Sequence, residues 1–124
     1  GRVDMAHVTT EVRAQLALFE EMVGRRPDHF DGHQHAHVLP GVAAAVCEGL
    51  GGRVRCVRVP RGNPVLLAGV EDDARRALYE NVTQQCARAC EVFHAAGMVW
   101  PQHFVGYTVM GPDCRDYRPA KPCM

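Results

Sequence analysis

The alternation of helical and extended segments is the feature of this sequence that most constrains its fold. Three stretches between residues 10 and 97 carry apolar residues at helical spacing, and each ends at glycine. Each is followed by an extended stretch, the clearest being 53–59, which is rich in valine and ends before Pro60. This order is typical of helices packed on a parallel β-sheet. We therefore predict an α/β fold.

The boundaries of the segments follow from their capping residues. We expect helices that begin at Thr10, at Pro40 and at the acidic cluster 71–73, where negative charge suits the helix dipole. We expect a short strand after the loop 25–32 and further strands over 53–59 and 99–109. The tail 112–124 has three prolines and no periodicity, so we expect it to be disordered or unrelated to the fold.

Length and composition bound the class of protein. The 124 residues suffice for one domain or part of one, and 14 basic residues balance 14 acidic ones. Such a balance favours neither nucleic acid nor a membrane surface as a partner. No signal peptide and no apolar run of about 18 residues is present, which makes the cytoplasm the expected location. We expect the six cysteines to be reduced.

A histidine cluster is the strongest chemical signal. The segment 31–37 reads Asp-Gly-His-Gln-His-Ala-His. If this segment is extended, alternation places His33, His35 and His37 on one face. Neutral imidazoles that converge from one side suit a divalent metal ion, and the nearby Asp31 could bind the metal or orient a ring. The cluster also precedes a predicted helix, where parallel sheets place their sites.

The stretch 27–40 carries a family resemblance. It resembles the Pro-x-His-x-Asp-x-His-x-His-x-His-x-x-Pro signature of the YdjC-like carbohydrate deacetylases, and the similarity covers about residues 11–111. It implies that 1–111 is the central part of a deacetylase domain. The fold implied is a partial (β/α) barrel that lacks the N-terminal and C-terminal strands of the family.

The resemblance also implies an activity, namely the hydrolysis of acetyl groups from N-acetylated oligosaccharides with a divalent metal, usually Mg²⁺. His33 matches a metal ligand of the family, whereas Asp31, His35 and His37 are assigned to the wall of the site or to contacts with the ligands. The family's N-terminal Asp-Asp pair with the catalytic base, its upstream Gly-x-His and its C-terminal His-Pro have no counterpart here. The complete protein is therefore the expected enzyme, as a monomer or a homodimer, and this chain alone is expected to be inactive.

Two other interpretations of the histidines stay open. The stretch 33–39 is similar to the His-φ-His-φ-His-φ-φ motif of histidine-triad nucleotide hydrolases, where φ is apolar. That motif normally lies late in its domain, and Gln34 stands at one of its apolar positions. A zinc-binding module that uses His33, His35 and His37 is the non-enzymatic alternative, and it would need a fourth ligand.

Overall fold

The computed structural model describes residues 3–68, 70 and 72–104. The elements along these residues are α1 (Met5–Val23), β1 (His29–Phe30), a 3₁₀ helix (His33–Val38, hereafter the histidine segment), α2 (Val42–Leu50), β2 (Cys56–Val57), α3 (Pro64–Leu67) and α4 (Asp73–Ala95). Of these, α1, β1, α2, β2 and α4 follow in the predicted alternating order, and two additional short helices lie before α2 and before α4. The mixed α/β class is confirmed, whereas a barrel is not shown by the described residues. The predicted tail 112–124 lies outside them.

The sheet is parallel but small. β1 pairs with β2, with His29 opposite Cys56 and Phe30 opposite Val57. On the other side of β2, Val99 forms a parallel bridge to Cys56, and the Val57 N–H donates to the Val99 carbonyl oxygen at 3.0 Å. Helices α2 and α4 thus connect successive parallel segments, which is the predicted arrangement.

The strands are much shorter than predicted. The segment 53–59 contributes only Cys56–Val57, and the predicted strand 99–109 contributes the bridge at Val99, while its part from 105 onward lies outside the described residues. Strand length depends on a paired neighbour, and β1 offers β2 only two residues. Apolar, β-branched composition alone therefore overestimates the strands.

The starts of the helices follow from the residues that precede them: α4 begins at the predicted acidic cluster, α2 begins at Val42 rather than Pro40, and α1 begins well before its predicted position. Helix α1 begins at Met5 rather than Thr10, since the Asp4 carboxylate accepts a hydrogen bond from the Ala6 N–H at 2.9 Å. Helix α4 begins at Asp73 because Asp72 caps it in the same way. Capping therefore sets these boundaries, and apolar spacing does not.

Helices α1 and α2 pack closely against each other. A Cβ atom at Gly49 would lie 2.8 Å from Val12, so only glycine permits this approach. The buried Thr9 hydroxyl donates to the Ala45 carbonyl oxygen at 3.2 Å and joins the two helices. No helix among the described residues is both long and apolar enough to cross a membrane.

The core lies between the sheet and helices α2 and α4. Its most deeply buried side chains include Val38, Val46, Val57, Cys86 and Phe93. Burial raises the pKa of the Cys86 thiol to about 12, so this cysteine packs as a small apolar group. The four described cysteines form no disulfide.

Candidate functional site

The histidine segment lies beyond the carboxyl end of a strand, as predicted, but it is not extended. The strand itself, β1, lies at His29–Phe30, within the stretch 25–32 that was predicted to be a loop, and the residues after that loop form the 3₁₀ helix instead. Gln34 and His35 have φ values of 48° and 64°, in the left-handed region that residues with a Cβ rarely adopt. The alternation argument therefore does not apply. His33 is exposed, whereas His35 and His37 are buried, and the three rings do not share one face.

His37 is held by the backbone on both sides of its ring. The Gly32 N–H donates to Nδ1 at 3.1 Å, and Nε2 lies 2.6 Å from the carbonyl oxygen of Arg58. The ring stacks on Phe93 with a centroid separation of 6.3 Å and meets the edge of Phe30 at 5.6 Å. Burial lowers the pKa of His37, against a smaller opposing effect of the Arg58 carbonyl, so the ring is neutral at pH 7.

Asp31 forms an ion pair with Arg58 across the ends of β1 and β2. Nε of Arg58 donates to one carboxylate oxygen at 2.9 Å and Nη2 to the other at 2.6 Å, which is the bidentate geometry typical of arginine. The guanidinium also lies over the ring of Phe104, 5.6 Å from its centroid. Both paired side chains remain partly exposed, so the ion pair mainly orients the two side chains and adds little to the free energy of unfolding.

His35 lies beside this ion pair. It is 7% exposed, and its ring meets the edge of Phe104 at a centroid distance of 5.5 Å. Burial, followed by the positive charge of Arg58, lowers the pKa of His35. The cluster thus contains two neutral imidazoles, a paired carboxylate and one exposed imidazole, that of His33.

The described residues do not by themselves fit a metal ion. No group of three or more His, Cys, Asp or Glu side chains among them could hold one. The ring nitrogens of His37 are both engaged by the backbone, and both carboxylate oxygens of Asp31 are engaged by Arg58. A metal centre at this position would need ligands from outside the described residues, and we derive no chemical step through a metal.

A cavity of about 350 Å³ reaches the cluster from the side of α1. Its lining includes the polar residues Asp31 and His29 and the apolar residues Leu16, Phe19 and Phe30. A cleft of this size that combines apolar walls with a few polar groups is typical of small-ligand sites. It places the Asp31 carboxylate where a ligand could reach it.

Sequence reasoning did not assign a role to Arg58 or to Phe104. Arg58 belongs to the cluster because β1 and β2 are parallel neighbours, so that the residues following them meet at one edge. Phe104 follows the segment that is bridged in parallel to β2 at Val99. Part of the signal was present in the sequence, because Arg58 lies near the end of the predicted strand 53–59. The packing of Phe93 on His37 from α4 had no such local signal.

The fold and the cluster define the class of protein. Parallel strands joined by helices, with histidines and a carboxylate beyond the strand ends, characterise an α/β protein whose site lies at the carboxyl edge of its sheet. A family model described as YdjC-like protein matches residues 1–117. The chain belongs to the YdjC-like family, which confirms the resemblance stated from residues 27–40.

Relatives with assigned names agree with this family. The chain is 30% identical over 118 residues to a carbohydrate deacetylase of Xenopus laevis, an alignment that covers 94% of this chain and 38% of the relative. It is 38% identical over 112 residues to a human carbohydrate deacetylase, covering 90% and 35%. A shorter match, 36% over 42 residues, joins it to a chitooligosaccharide deacetylase of Yersinia pestis, covering 34% and 17%.

The chain spans little more than a third of the length of the carbohydrate deacetylases that it matches. No solved structure matches it significantly. The architecture described above therefore stands on the chain's own structure.

Burial of His37 predicts a loss of stability in mild acid. The free imidazole has a pKa of 6.5, and the folded state lowers it, so the unfolded chain takes up the proton first as the pH falls. The contribution of His37 is complete above pH 6.5 and decreases as the pH falls from 6.5 through the lower pKa of the folded state. Urea unfolding at pH 7.5, 6.5 and 5.5 should show a falling midpoint.

A matched variant separates this effect from other titrations. His37→Gln should reduce the slope of the free energy of unfolding against pH. The slope should not vanish, because the pKa of the buried His35 is lowered too and this residue still contributes to the pH dependence. The charged groups that face the His37 ring are Asp31 and Arg58, and both are left unchanged in this variant. A slope that is the same in the variant and the parent would contradict a neutral, buried His37.

Proposed function

We propose that this chain is a central part of a metal-dependent carbohydrate deacetylase that removes acetyl groups from N-acetylated sugars. In the reaction, water adds to the acetyl carbonyl carbon, the C–N bond breaks, and acetate and a free sugar amine are released. The observation that carries the proposal is the Asp31–Arg58 pair at the carboxyl edge of a parallel sheet, with His33 two residues after Asp31, in a chain of the YdjC-like family. The names of the relatives support the substrate class.

Each residue of the cluster has a distinct role in this proposal. His33 is exposed beyond β1, so its imidazole can ligate a divalent cation such as Mg²⁺ together with groups outside the described residues. Asp31, held by Arg58, and His35 form the wall of the site, and His37 lies behind that wall. Magnesium prefers oxygen ligands and keeps several waters, which suits a site with a single histidine from this segment.

The proposed fold of the complete domain is a (β/α) barrel. Two features of the described residues support it: each parallel segment is linked to the next by a helix, and β1 lies at an edge of the described sheet. Exposed apolar side chains on α1, including Leu18 and Met22, leave room for further packing. A homodimer of the complete protein stays a prediction.

The proposal is tested by acetate release. The complete gene product that contains this chain should release acetate from di-N-acetylchitobiose in the presence of Mg²⁺. The 124-residue chain alone should release none, because its described residues do not complete a metal site. Turnover by the isolated chain at the rate of the complete protein would contradict the assignment of the missing groups, and no turnover by the complete protein would contradict the proposed activity.

A further inference from the structure

The two hydrogen bonds of His37 determine the protonation of its ring. A backbone N–H can only donate, so Nδ1, which faces the Gly32 N–H at 3.1 Å, must carry a lone pair. A backbone carbonyl can only accept, so Nε2, 2.6 Å from the Arg58 oxygen, must carry the proton. The geometry therefore selects one neutral tautomer, with hydrogen on Nε2.

These hydrogen bonds connect the two strands whose ends form the site. Gly32 follows Asp31 directly, and the carbonyl that accepts from Nε2 belongs to Arg58 itself. The ring therefore joins the backbone next to one member of the Asp31–Arg58 pair to the backbone of the other. Stacking on Phe93 holds the ring against α4, and its exposure is only 1%.

Gly32 is part of the same arrangement. A Cβ atom at this position would lie 2.5 Å from Nδ1 and 2.9 Å from Cβ of His37, closer than non-bonded atoms approach. Glycine thus allows the backbone to come within hydrogen-bonding distance of the ring. A residue larger than glycine at position 32 would therefore displace the His37 ring.

We propose that His37 is a positioning residue: as the Nε2–H tautomer it ties Gly32 to Arg58 and so sets the geometry of the Asp31–Arg58 pair. Its engaged nitrogens leave it unsuited to bind metal or exchange protons with substrate. The inference rests on the proposed function only in treating this pair as the wall of the site. The tie itself can be measured without turnover.

The first measurement uses the full chain with ¹⁵N-labelled histidine. Two-bond ¹H–¹⁵N correlation spectra at pH 7.5 should show His37 with a protonated Nε2 and an unprotonated Nδ1. The exposed His7 serves as the internal control and should show the averaged pattern of a ring in water. A proton on Nδ1 of His37, or an averaged pattern like that of His7, would overturn the proposal whatever the variants do.

The second measurement follows the Arg58 Nε–H resonance, which reports its hydrogen bond to Asp31. His37→Ala should shift this resonance or broaden it beyond detection. In His37→Gln the longer side chain extends its NH2 donor toward the Arg58 carbonyl and should restore the resonance in part. In His37→Asn the shorter side chain retains an acceptor for the Gly32 N–H, but its NH2 group does not extend to Arg58, so it should restore less.

The variants are compared with His7→Ala, which should leave the Arg58 signal unchanged. An unchanged Arg58 resonance in a folded His37→Ala protein would overturn the positioning role. If His37→Ala does not fold, the comparison of His37→Gln with His37→Asn decides, since equal spectra from the two would contradict the proposed tie. Neither spectrum depends on acetate release. Failure of the proposed activity can therefore be distinguished from failure of the positioning role.

Discussion

Replacing His33 with alanine in the complete gene product is expected to lower metal-dependent acetate release by more than about 100-fold, because loss of groups that merely orient a metal ligand already costs about 10- to 100-fold. His33 is the exposed imidazole of the histidine segment and the residue that we propose as a metal ligand. The measurement is kcat/KM for acetate release at saturating Mg²⁺, together with metal content after dialysis.

Gln34→Ala is the matched control for this prediction. Gln34 is exposed and adjacent to His33, and its backbone is left-handed, with φ of 48°. Since glutamine and alanine both carry a Cβ, the substitution leaves the backbone cost of this conformation nearly unchanged. Activity close to that of the parent is expected. Equal losses in the two variants would show that the segment acts only through its backbone conformation and would contradict ligation by His33.

Phe93→Ala is expected to destabilise the fold by about 3–5 kcal/mol, the range for deleting a fully buried aromatic ring. Phe93 is completely buried, and its ring stacks on His37. Because domains are stable by only about 5–15 kcal/mol, this one change should remove a large share of the total. Urea unfolding followed by far-ultraviolet circular dichroism measures the loss.

Leu78→Ala provides the control on the same helix. Leu78 lies on α4 but is 59% exposed, so its truncation should change the free energy of unfolding by no more than about 0.5 kcal/mol. A loss at Leu78 as large as that at Phe93 would mean that the outer face of α4 is covered in solution.

The histidine segment shows which structural features local sequence patterns can predict and which they cannot. Its place between a strand and helix α2 was predictable, because the order of elements follows from local sequence patterns. Its conformation was not. The consecutive left-handed residues Gln34 and His35 bury two histidines that alternation would have placed beside His33. Left-handed backbone at residues with a Cβ has little local signal, since it is stabilised by the surroundings.

The helix boundaries are an intermediate case. The final turn of α1, which ends at Gly24 in a left-handed conformation, was predicted from glycine alone. Its first turn was missed because the apolar spacing begins later than the Asp4 cap. Strand lengths were overestimated since pairing partners are not visible in a single stretch of sequence.

The sequence by itself determined the order of helices and strands, the family and the position of the histidine cluster, because capping residues, apolar periodicity and motif spacing are local properties. Only the tertiary structure decided which histidines are accessible and what their rings contact. His37 meets Gly32, Arg58 and Phe93, three groups from separate parts of the chain. Hydrogen bonds and burial of this kind depend on distances across the fold, and these arise only when β1, β2 and α4 have packed together.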